Sequence, residues 1–424
     1  MKIDKIQINK NLILNLVHTQ KFKTITLKIL FKDKAIKKES TALSVLSSIL
    51  NESSKKYPSV KRLSEKKEEL YGTDVDTYVS NVGRINIFGI RANFVNTQYV
   101  QEDDSFFNKV FDFIHEIIYN PLVENNLFDE DTFLNVKNRK YYSLLSRKND
   151  KEAYSLERAL SYLKVSHPIK ISVFGSLKDI KKLKNEDVYA QYKKVTSRPI
   201  EIYIVGDFNS KKIENLIKEH FYKENFKNSK KIFSDYQIPR LDYQEIQEKR
   251  AFNQTQLIQI IHFPITRDSN DFFAGILFNA IFGGTPLSKL FKNIREENSL
   301  CYSISSNYVA SSGCIIVSSG IDYSNYEKTK ELIKKQLNDI QEGKFTKEDL
   351  ELNRKLYLST IKGSFDSASN TIDFLSSNQN YKKTYSLEEY YENISKVNLE
   401  DVIRVAKKAY FMLEYCLKQG KVRD

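Results

Sequence analysis

Apolar and polar residues alternate from Ile3 to Leu16 and again from Thr24 to Phe31, the period of two that a strand with one buried face requires. The period then lengthens. Apolar positions over Ser40–Leu50 and Ser59–Leu70 recur at helical spacing and predict two helices. Strands follow at 73–81 and 84–93, joined across Asn81-Val82-Gly83, and helical stretches fill 104–119, 130–146 and 152–165. TSRPIEIYIVGDF (196–208) reads as a buried strand ending in a turn, with a closing helix from Ser210 to His220.

After a polar, lysine-rich passage at 221–240 the order begins again. Strands at 243–249 and 254–263 precede helices at 270–282 and 286–297; strands at 300–309 and 313–321 meet at Ser311-Ser312-Gly313. Helices at 325–343, 347–362, 386–394 and 398–408 lead to a last strand at 410–417. FDEDTFLNVKNRKYYSLL (128–145) and FTKEDLELNRKLYLSTI (345–361) share a Phe, an acidic cap and a Lys-rich helix. Pro58 and Pro286 each open a helix that ends in Glu-Glu before a Tyr-containing strand. Matching element order over both halves predicts an α+β chain of two related α/β domains, 1–225 and 240–424.

Composition narrows the function classes. With 424 residues, 41% hydrophobic and 29% charged, and only 13 Gly and 7 Pro, the chain is globular rather than disordered or fibrous. The net charge of +13 raises nucleic acid or an anionic membrane as partner. The lysines, however, are spread along the chain, and clusters such as KDIKKLK (178–184) and NSKKIF (228–233) sit among acidic residues. No RNP motif, zinc finger or arginine-rich arm is present, so no nucleic acid is expected as partner. Cys301, Cys314 and Cys416 form no pair at metal or disulfide spacing. The N-terminal stretch breaks its apolar runs with Lys, Asp and Asn, and no run suits a membrane span; a soluble, cytoplasmic protein is expected.

Most catalytic motifs are missing. GGTPLSK lacks the P-loop glycine spacing, and neither GxSxG nor GxGxxG occurs. His115-Glu116-Ile117-Ile118-Tyr119 places a tyrosine where HExxH needs its second imidazole. His18, His167, His220 and His262 are scattered singly, so no metal site and no cofactor are expected. One stretch stands out. In FGGTPLSKLFKNIREENSLCY (282–302), two glycines lead to Thr285 as a helix cap and Pro286 at the first helical position; Arg295 follows, then six residues, then Tyr302 on the next strand.

The repeat, the VGDF strand end at 205–208 and GGTPLSKLFKNIREENSLCYSISSNY together resemble the pitrilysin-like (M16) zinc peptidases, the family of the mitochondrial processing peptidase. The resemblance covers essentially the whole chain. It implies two tandem domains of the LuxS/mitochondrial processing peptidase-like metallohydrolase fold, each a mixed, mostly antiparallel sheet with helices on one face. The family closes like a clamshell around an extended peptide. Its zinc motif is an inverted HxxEH on the first helix of the first domain, with a distal Glu on a later helix. In this chain Val45, Ser48 and Ile49 stand at the three motif positions. Thr132 to Asn149 contains no Asp or Glu, so the distal position, matching about 137–145, is empty too. None of these residues binds zinc or acts as a base.

The family's second-domain Arg-x6-Tyr pair, which holds substrate backbone, is matched by Arg295 and Tyr302. A guanidinium and a phenol suit a peptide carbonyl or its developing oxyanion. The bland alternative pairs Arg295 with Glu296 or Glu297 and packs Tyr302 in the sheet. The resemblance implies a zinc-free subunit that joins a zinc-containing partner, or itself, and holds a peptide at the partner's metal. Zinc-free members of similar layout are associated with the 5-aminopentanol modification of elongation factor P. A scaffold subunit, or a basic RNA- or ribosome-associated protein, are the alternatives.

Overall fold

A computed structural model describes residues 2–101, 105–222 and 231–420; the boundary expected at 225 lies outside the described residues, as does much of the 221–240 passage. Strands β1 (Lys2–Asn9), β2 (Leu12–His18) and β3 (Thr24–Lys34) lead to helices α1 (Ser40–Ile49) and α2 (Val60–Glu69). Strands β4 (Asp74–Val82) and β5 (Ile85–Val95) precede α3 (Ser105–Tyr119), the two-residue strands β6 (Val123–Glu124) and β7 (Leu127–Phe128), and α4 (Glu130–Arg147). Helices α5 (Lys151–Tyr162), α6 (Leu177–Lys182) and α7 (Asn185–Thr196), strand β8 (Ile200–Gly206) and α8 (Ser210–Phe221) complete the first half. The second half runs β9 (Gln244–Arg250), β10 (Thr255–His262), α9 (Phe272–Asn279), β11 (Cys301–Val309) and β12 (Cys314–Ile321). It ends with α10 (Tyr326–Gln341), α11 (Lys347–Ser364), α12 (Ala368–Asn378), α13 (Leu387–Lys396), α14 (Leu399–Ala406) and β13 (Tyr410–Gln419).

Two compact units result, and neither is continuous in sequence. One holds residues 1–145, 171–233 and 365–380; the other holds 146–170, 234–364 and 381–424. Their sheets share one plan. The first is ordered β1-β2-β8-β3-β5-β4 and the second, taken from its other edge, β9-β13-β10-β12-β11. Strand for strand these match, β1 being the addition. In each, the first two strands of the matched order are parallel (β2 with β8, β9 with β13), and the remaining pairings are antiparallel.

Alternation along the strands decides how the faces are used. In β3, Ile25, Leu27, Ile29 and Phe31 point to the face where α1, α3, α7 and α8 pack, with Leu12, Leu14, Leu16, Ile200, Ile202 and Ile204 from neighbouring strands. Each such buried side chain stabilises the unit by roughly 1.5–3 kcal/mol. The second face carries Val17, Leu30, Tyr203 and Val205, which meet Ala368 and Ile372 of α12. Lys28 is there too, only 4% exposed. Its ammonium reaches the Asp373 carboxylate at 2.7 Å and the Ser369 carbonyl at 3.2 Å, both on α12. The second unit repeats the device. Ala159 of α5 and the following Leu163 pack on Ile258, Ile260, Ile316 and Tyr415. In each half, then, the helix after the long α4 or α11 joins the sheet of the other unit.

Several expected elements differ. The run from Ile3 to Leu16 is a hairpin, β1 with β2 turning at Lys10-Asn11, rather than one strand. The helix read at 270–282 is α-helical to Asn279 and continues as a π-turn over Ala280–Gly284. The helix read at 286–297 is not an α-helix: Pro286 and Leu287 lie in a turn and Phe291–Glu296 is a π-helix. Thr285 is not a helix cap; its hydroxyl accepts from the Leu287 N–H at 3.3 Å and donates to the Ala280 carbonyl at 3.2 Å, which closes that turn. Helices α6, α7 and α12 have no counterpart in the sequence reading.

Candidate functional site: an exposed arginine and tyrosine beside an edge strand

β11 is the edge of its sheet, and the chain reaches it by an unusual route. Gly283 makes the approach possible. A Cβ there would lie 2.6 Å from Leu290 Cδ1 and 2.7 Å from Ser306 Oγ on β11, and one on Gly284 would lie 2.6 Å from Asn279 Nδ2. The two glycines are therefore packing residues that let the π-turn close on the strand. Leu290 and Ile294 are buried and anchor the next turn. Wide turns carry the chain onward: the Glu297 N–H donates to the Lys292 carbonyl at 2.9 Å and the Leu300 N–H to the Ile294 carbonyl at 3.1 Å. Ser299 then takes φ 50°, left-handed for a residue with a side chain.

Arg295 sits on the outer side of this turn and is exposed. Its guanidinium stacks over the Phe291 ring at 4.6 Å. Among the described residues it forms no ion pair with Glu296, Glu297 or another carboxylate. It lies close enough to act on the first residue of β11: burial pushes the Cys301 thiol up to about 11, while the Arg295 charge pulls the other way.

Tyr302 follows immediately. Cys301 is opposite Ile321 and Ser303 is opposite Gly320, which leaves Tyr302 as the extra residue of a β-bulge. The bulge breaks the alternation, so Tyr302 and Ser303 are both exposed while Cys301 and Ile304 are buried. Tyr302 is 63% exposed, and its hydroxyl points to the Asp322 carboxylate at 3.3 Å. An exposed phenol and an unpaired guanidinium at a sheet edge can donate to a carbonyl or an anionic oxygen; neither is a base or a nucleophile here.

The residues at the expected zinc positions belong to the other unit. Val45 and Ile49 of α1 are 0% and 1% exposed and part of its core, and Ser48 is half-buried. Helix α1 is fastened to β4: Ser47 Oγ donates to the Thr77 carbonyl at 3.3 Å, and Asn51 Oδ1 accepts from the Thr77 N–H at 2.9 Å. The stretch matching the distal carboxylate, on α4, is basic. Lys137 Nζ donates to the Leu183 carbonyl at 2.7 Å, Arg139 pairs with Glu52, and burial, reinforced by the Arg139 charge, holds the Lys140 amine below its usual range. A cation would meet like charge there. Among the described residues no group of three or more His, Cys, Asp or Glu is placed to hold a metal ion.

The two sheets share one plan, and among the described residues no metal-binding cluster accompanies them. Residues 182–357 match the family model described as Peptidase M16 inactive domain. A probable inactive metalloprotease of Bacillus subtilis (strain 168), YmfF, is 25% identical over 405 residues, 95% of each chain. A conserved protein from Enterococcus faecalis V583 shares the fold with a TM-score of 0.91 and 28% identity, each chain covered in full. The peptidase M16 inactive domain structure from Pseudomonas fluorescens superposes with a TM-score of 0.81, also over 100% of both chains; at 15% identity the likeness is one of fold. The chain is thus similar to inactive homologues of the M16 peptidases, by family model over 182–357 and by one relative over nearly its whole length. No helix of the described residues is long and apolar enough to cross a membrane.

Proposed function

We propose that this chain is the substrate-holding, zinc-free subunit of an M16-type peptidase, its two halves (1–225 and 240–424) being related domains. In this reading it supplies Arg295 and Tyr302 to the backbone of an extended peptide at the zinc of a partner subunit, in the cytoplasm. The observation that carries it is the contrast between the two places. At the expected zinc site Val45 and Ile49 are turned into a core, and the stretch matching the distal carboxylate is basic; at the Arg/Tyr place both side chains are exposed. A guanidinium without a carboxylate, on the turn that leads into the strand where a bulge exposes Tyr302, supports a role toward a partner rather than in packing.

The experiment is peptide turnover by the complex reconstituted with its zinc-bearing partner, normalised to complex formed. Removing one donor to a developing oxyanion costs roughly 10²–10³ in rate, and Arg295→Ala or Tyr302→Phe should approach that loss without weakening assembly. Arg295→Lys should rescue poorly, because an ammonium lacks the planar fork of donors. Unchanged turnover per complex in both variants would leave a scaffold role instead.

A further inference from the structure

The second face of the first unit's sheet holds a pocket of about 230 Å³ at the end where β2, β3 and β8 meet the 231–232 segment and the residues after α12. Its floor is mixed. Ile13, Ile85, Pro199 and Ile232 supply an apolar wall, and Lys32 reaches in beside Glu201. Lys32 donates to the Glu201 carboxylate at 2.6 Å, and the Tyr203 hydroxyl donates to the same carboxylate at 3.0 Å. Asp33, also at the pocket, is taken up by Lys194 at 3.2 Å and Arg198 at 3.6 Å. Both carboxylates of the pocket are therefore already neutralised.

Three of its cations are not. Lys5, Lys10 and Lys231 line the pocket, are exposed, and form no ion pair with a carboxylate among the described residues. Desolvation holds the Lys32 amine below its usual range against the pull of Glu201, and the charges of Lys231 and Lys5 add to the lowering. A second observation is independent of charge. Asn380, 2% exposed, lines the pocket, and its Nδ2 has no hydrogen-bond partner among the described residues. A buried amide donor left unmatched is uncommon and points to a missing acceptor. A pocket with an apolar wall, surplus positive charge and one waiting donor suits one class of occupant.

We infer that this pocket binds a small organic anion, its apolar body against Ile13, Ile85 and Ile232 and its carboxylate or phosphate among Lys5, Lys10 and Lys231, accepting from Asn380 Nδ2. The inference does not involve Arg295 or Tyr302. The probe is 4-(trifluoromethyl)benzoate, followed by fluorine NMR on the full chain, with the neutral 4-(trifluoromethyl)benzamide as its isostere. The benzoate should bind at least roughly tenfold tighter than the amide, since charge-assisted contacts separate the two. Lys5→Gln with Lys231→Gln, both at exposed positions, should weaken the benzoate by roughly tenfold and leave the amide unchanged, with the melting temperature unaltered. Asn380→Ala should weaken both probes several-fold. Absence of binding at about 10 mM, as when water alone satisfies Asn380, overturns the inference. Equal affinities for benzoate and benzamide, or binding that neither set of substitutions changes, overturn it as well.

Discussion

Replacing Glu248 by glutamine tests the discontinuous packing directly. Glu248 on β9 is the centre of the attachment of α5, a helix from the first half of the sequence, to the second unit's sheet. Arg158 of α5 holds it with two nitrogens, Nε to Oε2 at 3.0 Å and a shorter contact from the terminal nitrogen. Tyr162 of α5 donates to Oε1 at 2.5 Å and Tyr415 of β13 to Oε2 at 2.6 Å. The Arg158 hydrogen bonds, followed by those of the tyrosines, hold the carboxyl at about 2 against an ordinary 4.5. At about 1.4 kcal/mol per pH unit that is about 3 kcal/mol in favour of the folded, charged form. The carboxylate keeps 22% of its surface exposed and Arg158 36%, and solvent screening reduces the gain to about 2 kcal/mol.

The sign is fixed by the direction of the shift. A depressed carboxyl stabilises the fold fully above the unfolded value near 4.5 and loses that contribution as pH falls towards about 2. More than half of it is gone by about pH 3. Glu248→Gln should therefore lower the melting temperature at pH 7 by roughly 4–8 °C, at 2–4 °C per kcal/mol for a unit of this size. The gap to wild type should narrow from about pH 5 downward and close only towards about pH 2. Hydrogen exchange should quicken in 151–162 first. Arg158→Met, measured alone and with Glu248→Gln, should be strongly non-additive. Additive effects, or a difference that does not depend on pH, would refute the reasoning.

Two further outcomes are expected. Proteolysis should nick the chain within the polar, lysine-rich 221–240 passage, but the nicked protein should still elute at its intact mass, because the N-terminal fragment keeps α5 in the second unit and the remainder keeps α12 in the first; separation of two half-sized species would contradict the packing. Metal analysis of the purified chain should find no stoichiometric zinc, and Val45→His with Ser48→Glu and Ile49→His should not create a site, because two of the three positions are core and α4 offers Arg139 and Lys140 in place of a carboxylate; one tightly held zinc in either protein would sink that view.

Much of the fold was legible because the sheets alternate cleanly. The pairs 74–82 with 85–95 and 301–309 with 314–321 lie within a residue or two of where the pattern puts them. What escaped was written in tertiary terms. Helix α12, ASNTIDFLSSN, is rich in Ser and Asn and poor in helix formers; it is helical because Ile372 and Ala368 find the second face of a distant sheet. The lysines of β3 had the same fault in reverse. Lys28 and Lys32 occupy the polar beats of an alternating strand and read as solvent positions, yet α12 covers one and Glu201 takes the other. The Arg–Tyr pair was visible as a spacing, but its display was not, since it depends on a π-helix over 291–296 and on a bulge set by pairing with β12.

That display has a physical meaning. β4 and β11 hold the same place in equivalent sheets, but β4 pairs with β5 in continuous register, whereas β11 begins with a register shift. The approach to β11 concentrates irregular backbone: a π-helix over 291–296, a left-handed Ser299 and a bulge at Tyr302. Each gives up regular hydrogen bonding or steric ease, and a sequence selected for stability alone would gain by regularising them. Arg295 stacks over Phe291 on the turn that leads into β11, and the bulge exposes Tyr302 on the strand. The same segment buries Leu290 and Ile294 and leaves Arg295 and Tyr302 exposed, which is the reason to look for their partner outside this chain.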